Sequence, residues 1–113
     1  MSPIVALKHE MDVAEQIRTR VAAAVPKLDP DLQAWVQEHL ITPRLVDLAR
    51  DADGKTSVPL WLVTDHVGRQ DSSYRVVWDP DALAFGLECT LANGVEWYMG
   101  PHKGGFADVI RAL

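Results

Sequence analysis

The sequence predicts an α+β domain with two N-terminal helices, an antiparallel meander of four or five strands and a C-terminal helix. Three observations lead to this. Apolar residues recur every three or four positions up to residue 40, and alternating apolar runs separated by short turns follow from 44 to 99. A last helical pattern spans 106–113. The strand connections are too short for parallel crossovers, so we expect the helices to pack on one face of the sheet.

Two helices open the chain. The first is predicted from Pro3 to about Val25, where Pro26 ends it. The second begins at Asp29–Pro30. We expect it to end at Thr42–Pro43, because the residue before a proline is pushed toward extended geometry.

The strands follow in order. Residues 44–50 could form a short helix or a strand, and a strand is favoured because the turn residues 51–54 come directly after them. The other strands are predicted at 58–65, 74–78, 85–91 and 95–99, and the loop 68–73 and the turns at 79–81 and 93–94 separate them. A meander alternates its turns between two ends. We therefore expect turns 51–54 and 79–81 at one end and turn 93–94 at the other.

Composition narrows the class of protein. The 113 residues predict a single domain over 1–113, and 48% apolar with 24% charged residues is ordinary for a globular protein. The net charge of −5 leaves no basic stripe for phosphates, so nucleic acid is not an expected partner. The sequence shows no apolar run long enough for a signal peptide or membrane helix and has one cysteine, which predicts a cytoplasmic protein away from membranes.

No residue pattern predicts catalysis or a cofactor. The four histidines lack metal-ligand spacing, and Cys89 is the chain's one cysteine, which excludes an internal disulfide. Cys89 alternates with Phe85, Leu87 and Leu91, so we expect a buried and inert thiol. No catalytic or metal-binding residue is assigned.

An interface is predicted on the second face of the sheet. The strand at 58–65 is apolar on both faces, whereas a meander with helices on one side needs only one apolar face. Exposed aromatic residues in an apolar patch are typical of interfaces. The residues expected in this patch are Trp61, Val63, Val77 and Tyr98. The alternative is that the chain's own helix or loops cover them.

Two further features could bind charged partners. Asp51, Asp53, Asp79 and Asp81 lie in two turns that the meander brings to one end, which predicts an acidic patch for a basic protein partner. The alternative is that these are ordinary turn aspartates. The loop containing Lys103, Gly104 and Gly105 precedes the last helix and is a candidate anion site.

These features favour a non-enzymatic, protein-binding domain that self-associates, such as an acidic inhibitor or immunity-type protein. The alternative is a small-molecule-binding domain or small enzyme. Its pocket would lie between helices and sheet and be lined by Trp35, Trp78 and Trp97.

Overall fold

The described residues form three α-helices, and these occur in the chain order that the sequence predicts. A computed structural model describes residues 3–65 and 74–113, with side chains from residue 12 onward. Helix α1 spans Pro3–Ala24, and a 3₁₀ turn at Val25–Lys27 follows it. Helix α2 spans Pro30–His39 and helix α3 spans Phe106–Arg111. The predicted loop 68–73 lies outside the described residues.

Five strands form the sheet, and consecutive strands pair antiparallel. They are β1 (Leu40–Ala49), β2 (Ser57–Thr64), β3 (Tyr74–Asp79), β4 (Ala84–Thr90) and β5 (Glu96–Pro101). The preference for a strand at 44–50 is confirmed, as is the α+β class with an antiparallel-dominated sheet. The sheet is not open, however, because β1 also pairs with β5 and closes a barrel.

Closure corrects the expected placement of the turns. The parallel pairing of Ala49 with Trp97 brings the end of β1 beside the start of β5. The Asn93 side-chain amide therefore reaches the Ala52 carbonyl at 3.1 Å, so turns 51–54 and 93–94 meet instead of lying at opposite ends. The physical reason is the stagger between strands that closing a barrel requires, which a flat meander lacks.

Strand β1 begins earlier than predicted and contains a bulge. Leu40 pairs with Thr64 and Arg44 pairs with Leu62, so three residues of β1 face only one residue of β2 across this step. The prediction that helix 2 runs to Thr42–Pro43 is wrong, because α2 ends at His39. Proline has no N–H to donate to a neighbouring strand, so within a sheet it is found at bulges. The Thr42–Pro43 pair therefore lies in the bulge of β1 and does not end a helix.

The apolar residues form two separate clusters, one on each side of the strands. The first joins residues of all three helices with outward strand residues such as Trp61, Trp78 and Phe85. The second contains only strand residues: Leu48, Val58, Leu60, Leu62, Val77 and Tyr98, with Ile41 and Val46 against them. Strand β2 is apolar on both faces because it contributes to both clusters.

Charged and polar side chains also lie on the inner face of the barrel. The guanidinium of Arg75 donates hydrogen bonds to Glu88 and to Glu96. Glu88 is fully buried, and its Oε1 has no hydrogen-bond partner among the described residues. Arg75 and Glu88 face each other across the β3–β4 hairpin, so their side chains share one face.

Tyr98 crosses the barrel interior to reach strand β3. Its hydroxyl donates a 3.0 Å hydrogen bond to Asp79 Oδ2. Burial, and then the hydrogen bond and charge of Asp79, raise the pKa of Tyr98 above its ordinary value. The ring passes over Gly86, where an added Cβ would lie 2.8 Å from Tyr98 Cε1 and 2.5 Å from the Gly100 carbonyl oxygen. Only glycine fits at this crossing.

The buried ion pair makes a first prediction. Arg75→Met should destabilise the protein by about 3–5 kcal/mol, because it leaves the Glu88 carboxylate buried and unpaired. The double variant Arg75→Met/Glu88→Leu should recover much of this loss, since both charges are then removed. Urea unfolding gives the free energies. A loss below about 1 kcal/mol for the single variant, the range of a surface ion pair, would contradict the buried placement.

The Tyr98 crossing makes a second prediction. Gly86→Ala should destabilise the protein by about 1–3 kcal/mol through overpacking against a backbone carbonyl and the Tyr98 ring. Gly105→Ala is the matched control, because an added Cβ there meets nothing within 4 Å. Thermal unfolding followed by near-ultraviolet circular dichroism reports both stability and the environment of Tyr98. Equal stabilities of the two variants would contradict the packing described here.

Candidate binding groove

An open groove lies between α1, α2 and the start of β1. Its volume is about 590 Å³. The bulge forms one wall, since Ile41, Thr42 and Pro43 all line it and Val63, opposite the bulge, lies at its floor. Ligand sites measure about 300–1,000 Å³ and are mostly apolar, and bulges are enriched beside functional sites.

The walls are apolar and the polar groups are few. Helix α1 and the turn after it contribute Ile17, Val21, Ala22, Val25 and Pro26, and Leu40 extends the apolar wall at the start of β1. The polar side chains in the lining are Arg18, Gln37 and Thr42. No aspartate or glutamate is among the described lining residues. The groove therefore combines an apolar body with a single positive charge.

Contacts beside the groove hold the α2–β1 junction in place. His39 Nδ1 and Asp65 Oδ1 are 2.6 Å apart, and the Asp65 N–H donates to the His39 carbonyl at 3.0 Å. The Trp35 ring packs on the imidazole with 4.9 Å between the ring centroids. These contacts tie the last turn of α2 to the end of β2. They fix the position at which the chain leaves the helix and enters the bulge.

The four predicted interface residues do not form an exposed patch. Trp61 and Val63 are buried in the cluster shared with the helices, whereas Val77 and Tyr98 are buried in the barrel interior. The prediction that Trp61 and Val77 share a face of the sheet is wrong, because Trp61 pairs with Trp78 and Leu62 pairs with Val77. Directly paired residues share a face. A second copy of the chain would have no exposed apolar surface to cover here.

The acidic residues of the first predicted turn form hydrogen bonds and an ion pair within that turn. Asp51 accepts hydrogen bonds from the backbone of Lys55 and Thr56 and from the Thr56 hydroxyl. Desolvation opposes ionisation, but these hydrogen bonds hold the pKa of Asp51 below its ordinary value. Asp53 lies 3.6 Å from the Lys55 ammonium.

The second acidic turn is likewise structural. Asp79 is buried, with 8% of its surface exposed, and accepts hydrogen bonds from Tyr98 and from the backbone of Asp81 and Ala82. Asp81 is exposed. The first acidic turn contacts the turn at 93–94. The turn-forming alternative therefore accounts for three of the four carboxylates, and binding to a basic partner stays a prediction from net charge.

The glycine loop before α3 already holds an anionic group. The Asp108 carboxylate accepts a 2.9 Å hydrogen bond from the Gly105 N–H and packs against Gly104. This side chain occupies the position that a bound anion would need, so the predicted site at Lys103, Gly104 and Gly105 is filled from within. The sequence signal for this site is a glycine-rich loop before a helix. Asp108 lies three positions after the N-cap residue Gly105, and its carboxylate accepts the hydrogen bond that a bound anion would take from the same N–H.

The predicted tryptophan-lined pocket is not assembled. Trp78 is buried in the helix–sheet core, with only 1% of its surface exposed, and it packs edge-on against Phe85. Trp35 lies beside His39, while the Trp97 indole donates to the Arg50 carbonyl at the β1–β5 closure. The three side chains lie at different places. The groove between α1, α2 and β1 is lined by none of them, and Trp78 alone lines a smaller cavity beside Leu83 and Phe106.

Cys89 is partly exposed rather than buried. It points to the same side of β4 as Phe85 but lies near the end of the strand, and its burial is intermediate. Desolvation, and then the charge of neighbouring Glu88, raise the pKa of the thiol. Among the described side chains, at residues 12–65 and 74–113, no three potential ligands among histidine, cysteine, aspartate and glutamate converge on a metal position.

Comparison with protein-family models, with curated proteins and with solved structures gives no significant match to this chain. In the part of the chain that the structure describes, no helix is both long and apolar enough to cross a membrane.

The groove residues were missed at the sequence level. The sequence predicts a helix end at Thr42–Pro43, which places Leu40 and Ile41 in a helix. One signal points to the bulge: Pro43 lies between apolar residues that continue into a strand, and proline within a sheet is confined to edge strands, strand starts and bulges. Arg18 carried no signal, because its position on α1 is that of an ordinary exposed helix residue.

The Cys89 thiol makes a third prediction. Its raised pKa lowers the thiolate fraction, so iodoacetamide should label the native protein more slowly than a free thiol at about pH 8. The rate should rise about tenfold for each pH unit while the pH stays below that pKa. The same protein in urea is the control. A native rate equal to the unfolded rate at about pH 8 would contradict the partial burial.

Proposed function

We propose that this chain is a small-molecule-binding domain whose ligand lies in the α1–α2–β1 groove. The observation that carries the proposal is a cavity of about 590 Å³ at a strand bulge, with apolar walls and three polar side chains. A site of this size and character suits a small ligand with a largely apolar body.

The chemistry of the lining supports binding without catalysis. Arg18, Gln37 and Thr42 can donate hydrogen bonds and orient a ligand. The described lining contains no carboxylate, imidazole or thiol to act as a general base or nucleophile. We therefore assign the groove a binding role.

Protein binding was the leading hypothesis from the sequence, and the groove is preferred for a physical reason. The predicted apolar interface is buried, and three of the four predicted acidic residues accept hydrogen bonds within their own turns. The groove keeps both its apolar walls and its cation accessible. Pairing of two copies and binding of a basic partner stay predictions that need another surface.

Blocking the groove makes a fourth prediction. Ala22 lines the groove and is exposed, so Ala22→Trp should fill it and leave the fold intact. Binding of the neutral apolar dye Nile red should weaken by at least about tenfold, because the indole occupies space that the dye needs, and losing about 60 Å² of apolar burial already costs about 1.4 kcal/mol. Dye fluorescence gives the affinity, and the melting temperature checks the fold.

Ala34→Trp is the matched control, since Ala34 is exposed on α2 and does not line the groove. It should bind the dye as the unmodified protein does. The proposal fails if the unmodified protein does not bind the dye, or if both tryptophan variants bind it equally well.

A further inference from the structure

The groove has a cationic side chain in its described lining, although the net charge of the chain is −5. Arg18 is the charged residue in its described lining. The ion pairs found among the described residues use His39, Lys55, Arg75 and Arg111 as their cations, and Arg18 takes part in none of them. The cation at the groove is therefore available to a ligand.

Arginine beside an apolar wall selects a particular chemistry. A guanidinium presents a planar fork of N–H donors that matches the two oxygens of a carboxylate. Arg18 is exposed, so a carboxylate can reach it while the apolar part of the ligand lies along the groove walls. Gln37 adds an amide donor to the same lining from the facing helix. A neutral apolar ligand would leave both groups without a role.

We propose that the ligand of the groove is a small amphipathic organic anion, with its carboxylate on Arg18 and its apolar chain along the groove walls. The inference rests on the proposed function and adds the chemical class of the ligand. The apolar chain contacts Val21, Ile41 and Val63, which surround the floor of the groove.

Three probes with the same chain separate charge from apolar contact: decanoate, decanol and decylamine. Isothermal titration of the full chain should give the tightest binding for decanoate and the weakest for decylamine. Arg18→Gln should weaken decanoate binding about tenfold, the value of a lost charge-assisted hydrogen bond, and leave decanol binding unchanged. Arg44→Gln is the matched control, since Arg44 is exposed and lies outside the groove lining.

Each contrary result has its own meaning. If decylamine binds as tightly as decanoate, or if both glutamine variants weaken decanoate equally, the assignment of an anion is overturned while the binding groove stands. If none of the probes binds, the proposed function fails together with it. A dimer in sedimentation that Ala22→Trp converts to a monomer would also overturn the proposal, because a second copy would then occupy the groove.

Discussion

The pairing of β1 with β5 is the contact on which the rest of the molecule depends. It joins Ala49 to Trp97 and turns a five-stranded meander into a closed barrel. Closure gives every strand an inner face, and the inner faces of β1, β2, β3 and β5 meet in one apolar cluster. The outer faces of β2, β3 and β4 then remain for the helices. Both sides of the central strands are buried for this reason.

The groove results from the way in which β1 connects α2 to the barrel. Strand β1 pairs with β2 at Leu40 and again from Arg44 onward, and its end also pairs with β5. Its first residue continues directly from α2, whose end is tied to β2 through His39 and Asp65. The bulge at 41–43 shifts the register of β1 against β2. This shift allows the chain to leave α2 at a fixed position and still pair with β2 from Arg44 onward. The space beside the bulge is the groove.

Local sequence signals predicted the elements better than their assembly. The alternating runs located β2 to β5 within one or two residues, and Asn93–Gly94 marked its hairpin, because such signals depend on near neighbours. Barrel closure depends on residues 48 positions apart, Ala49 and Trp97, and no local pattern encodes it. The groove was missed for the same reason, since α1, α2 and β1 meet there only in the folded chain.

The most direct test of the central claim, that the bulge-built groove is a ligand site, is an amide chemical-shift map of the nitrogen-labelled protein titrated with decanoate. The account predicts that the shifts concentrate at Val21, Ile41, Thr42 and Val63, which surround the groove. A smaller cavity beside Leu83 and Phe106 provides the contrast. Shifts centred on that cavity, or shifts spread evenly over the barrel, would contradict the account.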